Sequence, residues 1–172
     1  MKKYPYKFLD AYERNDKDIF KGRNEEIEAL YKMVFETDIM LVYGASGTGK
    51  TSLIQCGLAN KFKTYDWLAL NIRRGQNING SLDRALCAES DGVFVYEKQG
   101  EQHEIKNLDK KLETIYLNSF RPIYLIFDQF EELYILGSKD EQNQFIETVN
   151  QVLKLEQPVK MIFSIREEYL GY

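Results

Sequence analysis

The chain has 172 residues, 44% hydrophobic and 29% charged, which fits one globular domain with a sizeable buried core. Its formal net charge of -4 excludes a global basic field that would recruit nucleic acid or an anionic membrane. No apolar run approaches the roughly 20 residues of a membrane span, and no targeting signal follows Lys2 and Lys3. Cys56 and Cys87 lie far apart without metal-ligand spacing, so a reducing cytoplasm is expected, with Cys56 as a small buried hydrophobe.

Residues 1–18 mix aromatics (Tyr4, Tyr6, Phe8, Tyr12) with charges and show no clear period. They are expected to form an arm packed on the surface of a core that occupies residues 19–172. After Ile19-Phe20-Lys21-Gly22-Arg23, the apolar residues Ile27, Leu30, Tyr31 and Val34 recur at i, i+3, i+4, i+7 and predict a helix. Glu25 and Glu26 stand in its first turn, where carboxylates suit the helix dipole. From composition alone Gly22 and Arg23 read as a turn and a surface arginine.

An apolar run over residues 39–43 leads into Gly44-Ala45-Ser46-Gly47-Thr48-Gly49-Lys50-Thr51, which fits the phosphate-binding pattern G-x-x-x-x-G-K-[ST] without a gap. A helical pattern begins at Ser52, so the motif has the strand, loop, helix context that it requires. Phosphate oxygens need a ring of backbone N–H donors at close range, and a Gly-rich turn lets the main chain curl around them. Lys50 is expected to reach the β- and γ-phosphates, and Thr51 to offer its hydroxyl to a magnesium ion. The helix start, from Ser52, adds its positive dipole end.

Residues 66–72 read as a second strand ending at Arg73 and Arg74. Ligands gather at the carboxyl ends of strands in open α/β sheets, so this pair faces the nucleotide, a neighbouring subunit or water. A loop is expected over residues 75–80 and a short helix over 81–88. Residues 93–96 suggest a short extra strand, and residues 106–118 a helix with Leu108, Leu112, Ile115 and Tyr116 on one face.

Pro122 opens the strongest strand, Ile123-Tyr124-Leu125-Ile126-Phe127, whose continuous apolar run suits a central parallel strand buried on both faces. It closes on Asp128, which is expected beside the Thr51 hydroxyl to help hold hydrated magnesium. The next residue is Gln129, where many ATPases carry a glutamate as base. Glutamine can orient water but cannot take its proton, so either Glu131 or Glu132 reaches back, Glu131 being the preferred candidate, or turnover is slow. A helix follows over residues 140–155, with Phe145, Ile146, Val149, Val152 and Leu153 as its stripe. A fourth strand over residues 159–165 ends at Arg166, placed either to sense a γ-phosphate or to pair with Glu167 or another carboxylate.

Four stretches together resemble the STAND signal-transduction ATPases, relatives of AAA+ proteins, and most of all the bacterial novel STAND NTPases. They are Phe20-Lys21-Gly22-Arg23 with Glu26, the loop from Gly44 to Thr51, Leu125 to Leu133, and Phe163 to Leu170. The resemblance implies an α/β P-loop fold, a parallel β-sheet flanked by helices, cut short before the lid. It also implies that Gly22 and Arg23 border an adenine and that Arg166 senses the nucleotide. Lid, winged helix and a fifth strand beside the phosphate-loop strand are not visible, so an exposed strand edge and apolar surface suited to self-association are expected.

The function expected is an ATP- and Mg2+-dependent switch that cycles between ATP and ADP and is read by other protein domains or by further copies of itself. A non-hydrolysing nucleotide-binding interaction domain is the alternative, followed by a small-molecule kinase. Strand order separates the kinase, which sets its phosphate-loop strand beside the Asp128 strand, from the switch class, which inserts the Arg166 strand between them.

Overall fold

The computed structural model describes residue 7 and residues 10–98 and 101–171. Tyr4, Tyr6 and Phe8 of the arm lie outside the described residues. Four strands form one parallel sheet: β1 (Ile39–Gly44), β2 (Leu68–Ile72), β5 (Ile123–Phe127) and β6 (Val159–Arg166), in the order β1-β6-β5-β2. The Arg166 strand is thus inserted between the phosphate-loop strand and the Asp128 strand, as in the switch class and unlike the kinase arrangement. A separate antiparallel hairpin pairs β3 (Val95–Lys98) with β4 (Glu101–Glu104).

Alternation along the strands sorts the core into two layers. On one face Ile123, Leu125 and Phe127 of β5 and Met161 and Phe163 of β6 meet three helices, α3 (Ile78–Glu89), α4 (Leu108–Ser119) and α6 (Lys139–Val152). On the other, Tyr124, Ile126, Ile162, Met40 and Val42 meet α1 (Asn24–Glu36) and the helical segment after the phosphate loop. Every residue of β5 is buried, as its unbroken apolar run predicts.

That helical segment opens as α2 (Lys50–Ser52), continues in π-helical turns over Leu53–Leu58 and closes with a 3-10 turn over Ala59–Lys61. Gly57 lets α1 come close: a Cβ there would lie 2.7 Å from Ile27 Cγ1 and 2.9 Å from its Cδ1. Cys56 is buried beside it, as expected of a small hydrophobe.

The helix expected over residues 81–88 begins three residues earlier. The Asn77 side chain accepts from Gly80 N at 2.9 Å and caps it, while Ile78 is buried. A short helix, α5 (Glu132–Leu136), follows β5, and α6 starts at the Ser138 cap, whose hydroxyl accepts from Glu141 N. Of the stripe expected on α6, Phe145 and Val152 are buried, whereas Ile146 and Leu153 are exposed.

Strand β1 is the edge of the sheet, with Met40 and Val42 buried and Ile39, Leu41 and Tyr43 exposed. Those three share a face with Met161, Phe163 and Ile165 of β6 through the parallel register. Ile39 and Leu41 border an open apolar groove of about 550 Å³, also lined by Ile146, Phe130 and Leu170. Among the described residues no helix is long and apolar enough to cross a membrane.

Candidate nucleotide-binding site

The loop between β1 and α2 gathers the predicted phosphate contacts at the carboxyl end of the sheet. Gly47 and Gly49 adopt φ of +75° and +78°, a region that side-chain-bearing residues rarely enter, so the turn depends on glycine there. Thr48 closes the loop from within, its hydroxyl donating to Ala45 O at 2.9 Å. Lys50 lies back along it, Nζ donating to Gly44 O and Ala45 O, each at 2.8 Å. Ser52 is buried, and its hydroxyl accepts from Tyr12 N at 3.0 Å.

Pairing of β5 with its neighbours delivers the second half of the site. Asp128 N donates to Ile72 O at 2.9 Å, continuing the ladder one residue beyond β5. The Asp128 side chain is 4% exposed, and its Oδ1 accepts from Thr51 Oγ1 at 2.9 Å. Its Oδ2 accepts from Arg73 Nη2 at 2.8 Å and Nε at 3.2 Å. Arg73 therefore turns toward Asp128 and the cavity beside the phosphate loop. Arg74 turns the other way and binds the buried Glu141 through Nε at 3.0 Å and Nη2 at 2.7 Å.

Gln129 adopts φ of +55°, a left-handed backbone uncommon outside glycine, at the exit from β5. Glu131 is buried rather than solvated: Oε1 lies 3.0 Å from Arg166 Nε, and Oε2 accepts from Arg166 N at 3.3 Å. The carboxylate partner of Arg166 is therefore Glu131 and not Glu167. Parallel register also sets Arg166 directly beside Gly44 on β1.

These groups line one cavity of about 410 Å³, bounded by Ser46, Gly47, Gly49, Lys50, Thr51, Ser52, Arg73, Asp128, Gln129, Glu131, Ser164 and Arg166. Asp10, Ala11 and Tyr12 of the arm also border it, a contribution the irregular pattern of residues 1–18 did not signal. Gly44, Ala45 and Thr48 shape the loop without lining that cavity. Arg23 is tied to the outer side of the loop: its Nη1 donates to Thr48 O at 2.8 Å and its Nε to Glu26 Oε1 at 2.7 Å. Gly22 faces a separate shallow depression along α1.

The donor set fits a hydrated magnesium ion. Thr51 and Asp128 bring a hydroxyl and a carboxylate within hydrogen-bond distance, and Asp128 already carries a cation in the form of the Arg73 guanidinium. No cluster of three or more acidic, His or Cys ligands occurs among the described residues. An ion here would draw its other ligands from water and phosphate, as magnesium commonly does.

The sequence matches the family described as Novel STAND NTPase 1 over residues 5–172, and the chain belongs to that family. It is accordingly a nucleotide-binding P-loop domain. No curated protein matches the sequence. Among solved structures it is similar to the Walker-type ATPase PABY2304 of Pyrococcus abyssi, with a TM-score of 0.63 at 16% identity over 94% of this chain and 49% of that one. It is also similar to the Aeropyrum pernix ORC2 protein, solved as ADPNP–ADP complexes, with a TM-score of 0.57 at 13% identity over 94% of this chain and 43% of that one. At these identities the likeness is one of fold, and the chain spans about half the length of either structure or less.

Proposed function

We propose that this member of the novel STAND NTPases binds ATP with a magnesium ion, hydrolyses it slowly, and acts in the bacterial cytoplasm as a switch read by other protein domains or by further copies of the chain. The observation that carries this reading is the Thr51–Asp128 hydrogen bond of 2.9 Å, which joins the phosphate loop to the central strand inside the cavity that also holds Lys50 and Arg166.

Each residue has a distinct task in this reading. The loop N–H groups and the Lys50 ammonium, which now rests on two neutral carbonyls, turn to phosphate oxygens that are charged and therefore stronger acceptors. Thr51 and Asp128 hold the magnesium ion, which neutralises phosphate charge. Gly22 and Arg23 form the adenine side, with Arg23 braced by Thr48 and Glu26. Gln129 orients the attacking water. Glu131 takes its proton on Oε1 only after the Arg166 guanidinium, which holds that oxygen, has moved toward the terminal phosphate, while the Arg166 backbone N–H keeps Oε2 in place. That requirement accounts for slow turnover. The exposed face of β1 and its apolar groove supply a surface for self-association.

The same Arg166–Glu131 pair, together with Gln129, favours a second reading in which nucleotide is kept as a structural ligand and not hydrolysed. Calorimetric titration of ATP and magnesium into the chain and into Lys50→Ala, with phosphate release assayed on the same samples, tests both. The switch reading expects binding that falls at least about 10-fold in the variant, as for loss of a charge-assisted contact, together with slow phosphate release. Binding without release supports the structural-ligand reading. Absence of binding to the unaltered chain refutes both.

A further inference from the structure

We propose that Arg73 is an internal cation that occupies the metal's place on Asp128 in the nucleotide-free protein, and that magnesium enters by displacing it. The inference rests on the reading of this cavity as a magnesium–nucleotide site.

Asp128 is almost fully buried and both its oxygens are in use. Thr51 donates to Oδ1, while two N–H groups of Arg73 converge on Oδ2. A buried carboxylate would be costly without a counter-charge, and Arg73 supplies one. A guanidinium and a hydrated dication cannot share that oxygen, because their charges repel and the fork of Arg73 covers it. Metal and Arg73 are therefore alternatives on one ligand, and each weakens the other by the same factor.

The surroundings leave Arg73 free to make this exchange. Its side chain is 58% exposed, and its Cα follows β2, whose end is tied to β5 by the Asp128 N to Ile72 O bond. On its other side the chain is anchored by Arg74, held on Glu141. A backbone fixed at both flanks and a half-exposed side chain give a group that can swing without moving the strand end. Since Arg73 lines the cavity with Lys50, the displaced guanidinium stays within reach of the phosphates. Without metal, it supplies positive charge that the metal otherwise brings.

The test is the ratio of ADP dissociation constants measured without and with magnesium, by calorimetry, for the unaltered chain, Arg73→Gln and Arg73→Lys. ADP is chosen because it lacks the terminal phosphate, which a freed arginine would also contact. Removing the competing cation should raise the ratio about 3- to 10-fold in Arg73→Gln, the scale of a charge-assisted contact at a half-exposed site. Arg73→Lys, which keeps the charge but not the fork, should fall between. A ratio in Arg73→Gln equal to or below that of the unaltered chain overturns the proposal while leaving the nucleotide site intact. Failure of the unaltered chain to bind ADP under either condition refutes the site reading itself, and the proposal with it.

Discussion

Glu141→Gln tests whether the loop that presents Arg73 is held by a buried charge pair. Glu141 accepts from Arg74 Nε and Nη2 and from Ile78 N at 2.8 Å, and the Arg74 and Glu141 side chains are only 10% and 5% exposed. The glutamine amide keeps one oxygen for these donors and turns an NH2 group toward the guanidinium, leaving a buried charge uncompensated. Breaking such a pair costs about 3–5 kcal/mol, a fifth or more of the roughly 5–15 kcal/mol that holds a domain folded. At about 2–4 °C per kcal/mol for a chain of this size, Tm should fall by roughly 6–20 °C. Urea and thermal unfolding can be followed through Trp67, the single tryptophan, which is buried and stacked on Tyr124. The double variant Arg74→Met with Glu141→Leu should recover most of the loss, because apolar groups of similar volume replace both charges. A loss below about 1 kcal/mol in Glu141→Gln, or a double variant no more stable than the single, would refute the argument.

The same pair predicts a pH dependence. Burial alone would raise the Glu141 carboxyl, but the Arg74 guanidinium and the Ile78 N–H overcome it and hold the group below its ordinary value of 4.5. A carboxyl lowered by folding contributes stability that is complete above its unfolded value and is lost as pH falls through the folded one. Urea midpoints should therefore drop on acidification below about pH 4.5, and Glu141→Gln should show a shallower drop. Gly57→Ala should cost about 1–3 kcal/mol by overpacking against Ile27. Urea unfolding of that variant alone and combined with Ile27→Ala, which clears the space, checks the mechanism: the second change should cost less in the Gly57→Ala background than in the unaltered chain.

The phosphate loop was readable from local chemistry and Asp128 beside Thr51 from motif context, whereas the arginine–carboxylate pairings set by strand neighbours were not. Gly44 to Thr51 carries its own explanation, since the glycines at φ of +75° and +78° are demanded by the turn itself. The β5 strand likewise announces burial on both faces by its composition. Asn77 misled because asparagine and glycine suggest a loop, whereas its side chain caps a helix and the buried Ile78 secures it. The pairing of Glu131 with Arg166 spans 35 positions and exists only because β6 lies between β1 and β5.

Arg73 and Arg74 make the point most sharply. They are adjacent and of one residue type, so no local rule distinguishes them, yet one meets Asp128 and the other meets Glu141. The difference is set by partners 55 and 67 positions away, each a buried carboxylate on its side of the strand end. Exposure then follows from the partner. Arg74 is enclosed by Glu141, Leu136 O and Gly75 O and cannot leave without stranding a charge, whereas Arg73 keeps one face in the open cavity. A fixed arginine beside a movable one is what lets a strand end hold its backbone still while exchanging the cation on Asp128.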